Sequence, residues 1–192
     1  MTEFIPPAKP LIGDEERAAV DAVLRSGMLA QGPQVKAFEE EFSSHFGLGR
    51  PCVAVNSGTS GLHLGLLAAG VGPGAEVIVP SFTFAATANS VALTGATPVF
   101  ADIDPVSFCL DPASVEASIT DKTVGIMPVH LYGHPADMPA LQAIADKHGL
   151  KIFEDAAQAH GASLNGTPVG AFGTFAMFSL YPTKNMASGE GG

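Results

Sequence analysis

The feature that most constrains this chain is its rhythm from residue 52 onward, where short apolar runs alternate with stretches of helical character. Residues 52–55, 76–80, 98–101, 124–129, 151–155 and 174–180 read as strands, with helices over 59–69, 84–93, 112–119 and 137–148 between them. Strands joined through helices need crossovers, and crossovers give parallel pairing, a right hand and helices on both faces. The expected fold class is α/β: three layers, α/β/α, around a mostly parallel sheet. In such a sheet ligands gather at the carboxyl ends of the strands.

Ahead of this alternation two helices are expected. Over 14–26, Ala18, Val20, Val23 and Leu24 mix with charged residues, Glu15 and Glu16 suit the N-terminal end of the dipole, and Gly27 suits the stop. The second begins at Pro33 and closes at Gly47, with Phe38, Phe42 and Phe46 recurring every four residues as a core stripe.

Composition bears on partners. A net charge of −10 with 9 Lys+Arg argues against nucleic acid, whose binding draws on clustered cations. A local anion site is still open to such a chain, because helix-start N–H groups can hold a phosphate without any cationic side chain. No run of about 18 apolar residues occurs, so no membrane span is expected, and the first ten residues lack a cationic start followed by an apolar core. Cys52 and Cys109 sit in apolar contexts and read as free thiols in a reducing cytoplasm.

Three segments that follow strands carry the chemistry. Val53-Ala54-Val55-Asn56-Ser57-Gly58-Thr59-Ser60-Gly61 leads from a strand through a Gly/Ser/Thr turn into a helix, which aims free N–H groups and hydroxyls at one point where a phosphate dianion would be stabilised. Taken alone, such a turn is more often simple capping. It lacks both the G-x-G-x-x-G spacing and the Walker lysine. In Phe153-Glu154-Asp155-Ala156-Ala157-Gln158, Asp155 ends an apolar strand, where burial is costly unless a cation such as a protonated pyridine nitrogen is present; capping of the next turn is an equal reading. In Ser179-Leu180-Tyr181-Pro182-Thr183-Lys184, Lys184 stands in a neutral, non-helical setting from which a lysine can form a Schiff base. No metal-ligating constellation is read.

With those segments in view the chain resembles the DegT/DnrJ/EryC1/StrS family of sugar aminotransferases. Six stretches look like family motifs in family order: AQGPQVKAFEEEF, NSGTSGLHLGLLAAGVGPGAEVIVPSFTFAATANSV, GATPVFADID, PVHLYGHPADM, IFEDAAQAHGA and FSLYPTKNMASGEGG. The resemblance implies an aspartate-aminotransferase-like type I fold and pyridoxal 5'-phosphate (PLP) as cofactor. Lys184 would carry the internal aldimine and shuttle the proton, and Asp155 would pair with the ring nitrogen. Gln158 would lie near the ring 3-hydroxyl, Phe84 would stack on the ring, and Gly58, Thr59, Ser60 and Ser179 would hold the phosphate. The implied substrates are a nucleotide-linked keto-sugar and an amino-acid donor, expected to be glutamate, and a homodimer is implied for the parent. Relatives that act as dehydratases replace the lysine, so Lys184 argues for transamination.

His160 is expected to be a loop histidine with local hydrogen bonds, and His130 and Tyr132 to belong to a turn. Tyr181 receives no role. Since relatives are about twice as long, the chain is expected to comprise an N-terminal segment and first helix packing at the cleft (1–32) and an incomplete PLP-binding large domain (33–192), the small C-terminal domain being absent. Two rival readings remain: a non-catalytic or truncated chain that binds cofactor or a partner, and a nucleotide-binding α/β domain, which the missing glycine fingerprint disfavours.

Overall fold

A computed structural model describes residues 4–6 and 8–192. Residues 1–3 and 7, part of the N-terminal segment expected at the cleft, lie outside the described residues. In chain order the elements are α1 (Asp14–Ser26), α2 (Pro33–His45), α3 (Gly58–Ala68), β1 (Glu76–Pro80), α4 (Ala86–Leu93), β2 (Thr97–Ala101), α5 (Pro112–Ala117), β3 (Thr123–Ile126), α6 (Met138–His148), β4 (Lys151–Asp155), β5 (Ser163–Leu164), β6 (Thr167–Pro168) and β7 (Phe175–Met177). Five strands form one parallel sheet in the order β2-β1-β3-β4-β7.

Alternation along the strands produces the three layers. On β1, Val77 and Val79 join Leu62 and Leu66 of α3, Val91 of α4 and Phe153 of β4 in one buried cluster. Ile78, between them, points to the other face, into a cluster with Val115 of α5, Leu141 and Ile144 of α6, and Ile152. The same period puts the two acids of β4 on opposite faces, with Asp155 on the α3/α4 side beside Phe153 and Glu154 on the α5/α6 side beside Ile152. A third cluster lies beneath α2, where the expected aromatic stripe packs: Phe38 and Phe42 are 5.6 Å apart, Phe42 and Phe46 4.6 Å, and Phe42 meets Phe178 at 5.2 Å.

Several expectations need correction. Residues 52–55 are extended but form no strand: the backbone pairing made there among the described residues is between Val55 and Gly192, which exchange hydrogen bonds of 2.9 and 3.0 Å. A strand needs a neighbour along its length, and here the neighbour is a single residue. The strand expected over 124–129 stops at Ile126, and Val129 makes one isolated parallel bridge to Asp155. The last strand is three residues, not the whole of 174–180. A short β5–β6 hairpin was not foreseen; it turns on Asn165 and Gly166, both at positive φ (52° and 81°), as a tight primed turn requires. Helix α2, by contrast, closes as expected: it ends at His45 with Phe46 as its C-cap, and Gly47 follows at a positive φ of 63°. None of the residues of α1 is buried.

Helix α3 sits close to β7 because it lacks side chains where the two meet. A Cβ at Gly58 would come within 2.8 Å of Met177 Sδ, at Gly61 within 3.0 Å of Met177 Cγ, and at Gly65 within 2.5 Å of the Phe175 ring, which itself stacks on Phe153 at 5.2 Å. Replacing Gly65 by alanine should gain about 1 kcal/mol of helix propensity but lose about 1–3 kcal/mol to overpacking. Urea unfolding is expected to show net destabilisation, and an unchanged or raised midpoint would mean that Phe175 moves aside freely.

Candidate active site at the carboxyl ends of the strands

Asp155 is the last residue of β4 and is buried. Its Oδ2 accepts a hydrogen bond from Thr87 Oγ1 at 2.8 Å, and its Oδ1 accepts one from the Ala157 N–H at 3.2 Å. Thr87 is fully buried in the first turn of α4, and its oxygen lies 3.0 Å from Thr83 Oγ1. Burial pushes the Asp155 carboxyl above its ordinary range, while the Thr87 and Ala157 hydrogen bonds and the charges of His130 and Lys184 pull the other way. An approaching cation would favour the ionised form of a carboxylate so placed.

The start of α3 lies beside this carboxylate's face of the sheet. Ser57 is the N-cap, and its Oγ accepts from the Ser60 N–H at 3.1 Å while donating to Ser60 Oγ at 3.0 Å. The first intrahelical bond is from the Gly61 N–H to the Ser57 carbonyl, which leaves the Gly58 and Thr59 N–H groups outside the helix ladder. Ser179 stands against this turn: a Cβ on Gly58 would come within 3.2 Å of Ser179 Cβ. The arrangement is a set of neutral donors at the positive end of a helix, suited to a dianion.

The remaining expected residues also lie at this edge. Lys184 is half-buried in the turn after Ser179, its N–H bonded to the Tyr181 carbonyl at 2.9 Å, and its charge is felt by both Asp155 and His160. Lys147 and Lys151, by contrast, are tied to Glu116 and to the Ala69 carbonyl. Gln158 Oε1 accepts from the Tyr132 N–H at 2.8 Å, so its amide nitrogen is left as the donor. Phe84 lies in the turn before α4, 73% exposed, an apolar ring with one face to spare.

The histidines divide. His130 is buried; its Nδ1 accepts from the Ala136 N–H at 3.0 Å, so Nε2 carries the hydrogen it shares with Glu154 Oε2 at 3.2 Å. Burial alone would raise the Glu154 carboxyl, but the hydrogen bonds from His130, Gly173 and Gly170 outweigh it and hold Glu154 below its ordinary value. The expectation for His160 is corrected: both ring nitrogens are buried without a hydrogen-bond partner, against Phe42, Phe46 and Phe178. Burial, assisted by the Lys184 charge, pushes its pKa down, with the Ser179 backbone acting weakly against them. Tyr132 does lie in a turn, a 3₁₀ segment at Leu131–Gly133, but with φ of 54° and its ring 74% exposed.

Thr83, Thr87 and Glu154 were missed by the reading of the sequence. The available signal was the spacing of the two threonines, four residues apart and just after the β1 strand end. Cys52 and Cys109 are free, as expected, and burial raises both thiols. Among the described residues no cluster of His, Cys, Asp or Glu could hold a metal ion, and no helix is long and apolar enough to cross a membrane.

A family model described as the DegT/DnrJ/EryC1/StrS aminotransferase family matches residues 10–192. The chain belongs to this family. Among curated relatives it is 52% identical over 174 residues to a pleiotropic regulatory protein of Geobacillus stearothermophilus, covering 90% of this chain and 46% of that one. It is 48% identical over 189 residues to the spore coat polysaccharide biosynthesis protein SpsC of Bacillus subtilis, covering 98% and 48%. Among solved structures, DesV of S. venezuelae in complex with a ketimine intermediate superposes with a TM-score of 0.85 at 48% identity, over 93% of this chain and 49% of that one. DesI in the presence of its TDP-sugar product gives 0.85 at 42% identity, over 91% and 44%. A Streptococcus pneumoniae protein in its PLP form gives 0.94 at 35% identity, over 97% and 51%. This member of the DegT/DnrJ/EryC1/StrS family thus spans about half the length of the curated relatives it matches.

Proposed function

We propose that this chain is the cofactor-binding portion of a PLP-dependent aminotransferase that moves an amino group from an amino acid, glutamate by expectation, to a nucleotide-linked keto-sugar. The observation that carries the proposal is the convergence at one sheet edge of a buried carboxylate lacking a contacting cation, a neutral anion cradle and a half-buried lysine. The ketimine and TDP-sugar bound by two structural relatives support the reaction type and the substrate class. A cytoplasmic homodimer is the setting we propose for the whole protein.

The residues fit PLP by their own chemistry. The Gly58 position has no space for a side chain, and the donors of Gly58, Thr59, Ser60 and Ser179 suit a phosphate without asking for a cation. Asp155 is a buried anion whose burial penalty a protonated ring nitrogen would offset. Gln158 offers a donor for an anionic oxygen, and Phe84 a flat apolar platform. When bound, PLP supplies an electron sink for the bond being broken.

The chain's own part in the reaction then follows. Lys184 Nζ would hold the cofactor and would take and return a proton beside the reacting carbon. Asp155, when ionised, would keep a ring nitrogen protonated. The donors at the start of α3 would hold the cofactor's phosphate and so help to position it.

The test is an absorbance spectrum of the full-length protein with added PLP, before and after borohydride, with mass spectrometry of the reduced product. A visible band that reduction converts to an adduct on Lys184 is the expected result. An adduct on another lysine, or none, would overturn the proposal; an adduct without amino transfer to any nucleotide-linked keto-sugar would leave a cofactor-binding chain that does not turn over.

A further inference from the structure

Asp155 is held by a group that no reading of the motifs singles out. Thr87 is fully buried, and its Oγ1 lies 2.8 Å from Asp155 Oδ2. An ionised carboxylate only accepts, so Thr87 must donate to it. Its oxygen is then the acceptor in the 3.0 Å pair with Thr83, and Thr83 must be the donor there. The two hydroxyls form a polarised chain running Thr83 to Thr87 to Asp155, each bond strengthening the next inside a buried site. Protonation of Asp155 on Oδ2 would oblige the chain to reverse.

We propose that Thr87, backed by Thr83, is a positioning residue for Asp155: it fixes the rotation of the carboxylate and holds it as the acceptor that a cationic ring nitrogen needs. This rests on the function proposed above and adds to it a residue that acts through Asp155. Geometry supports it in two ways. The chain runs along the turn that carries Phe84, with the Thr87 N–H bonded to the Phe84 carbonyl at 3.1 Å, so the stacking platform and the carboxylate's partner share one short segment. The second oxygen, Oδ1, has the Ala157 N–H, a backbone donor that cannot rotate away, so Thr87 is the side-chain partner left to decide the carboxylate's orientation. The charged and titratable groups bearing on Asp155 are His130 and Lys184; α4 brings only neutral residues to it, and Glu154 projects to the opposite face.

The experiment compares Thr87→Val, which keeps the shape and removes the hydroxyl, with Thr87→Ser, which keeps it, in the full-length protein. Three quantities are read: the dissociation constant for PLP, its change between pH 6 and pH 8, and the urea midpoint without cofactor. Thr87→Val is expected to weaken PLP binding about tenfold at pH 7, as for the loss of one hydrogen bond to a charged group, and more at pH 6 than at pH 8. Thr87→Ser should return to within about threefold of the wild type, and Thr83→Val should show a smaller loss of the same pH dependence. If Thr87→Val lowers only the urea midpoint and leaves PLP affinity and its pH dependence at wild-type values, the threonine is a packing residue and the proposal is overturned. A wild-type protein that binds no PLP would sink the function itself, an outcome recognisable before any variant is made.

Discussion

Replacing Lys184 by alanine in the full-length protein is expected to abolish amino transfer, with turnover falling by at least about 10³-fold, because one side chain supplies both the covalent anchor and the proton carrier. The effect should be confined to chemistry. Lys184 is half-buried in a turn whose backbone bond, from its N–H to the Tyr181 carbonyl, does not involve the side chain. The urea midpoint of the variant should therefore stay near that of the wild type, and the phosphate of PLP should still be held by the start of α3. Single-turnover assays with an external amine are the sharper measurement, since a small amine can restore proton transfer but not the anchor. Retention of wild-type turnover by Lys184→Ala would remove the lysine from the mechanism.

The largest effect on stability is expected at the neighbouring acid. Glu154 is completely buried and accepts from the N–H groups of Gly170 at 2.8 Å, Phe172 at 2.9 Å and Gly173 at 2.7 Å, besides His130. Alanine would strand all of these donors at once, a loss of about 3–5 kcal/mol after relaxation, against a total stability of about 5–15 kcal/mol for an ordinary domain. The pH dependence has a definite sign. The folded pKa of Glu154 is depressed, so its contribution is fully present above the unfolded value of about 4.3 and is lost as pH falls through the lower folded value. The difference in urea midpoint between wild type and Glu154→Gln should be largest at pH 7 and shrink below about pH 4. A difference that grew on acidification would mean that the carboxyl is protonated in the native state.

How much of this was legible beforehand depended on how local each signal was. The bounds of β4 and the ends of α1 are written within a few residues by alternation or a glycine, and they were read correctly, whereas α3 starts at Gly58, one residue before the start that was read. Residues 52–55 look like a strand by composition, yet strand formation is decided by the partner, and no local pattern encodes that. Asp155 and Lys184 could be singled out because an acid or an amine at the end of an apolar run has to be accounted for. Thr87 could not, because a threonine at the start of a helix is unremarkable until a carboxylate 68 positions away is seen to need it. The same holds for His160, whose neighbours Phe42, Phe46 and Phe178 come from elements far apart in sequence and leave its nitrogens without partners.

The glycines on α3 make the helix behave as a lever. It is 11 residues long, and Gly65 stands seven residues from Gly58, or about 10 Å along the axis. A helix that short is stiff, so an obstruction against Phe175 at one end is felt at the other as a tilt. Donors that hold an anion lose strength steeply with misdirection. A methyl group added at Gly65, remote from every group that would touch a phosphate, thus reaches the grip on that phosphate by mechanical transmission alone, and the smoothness of the α3/β7 seam sets the aim of the site.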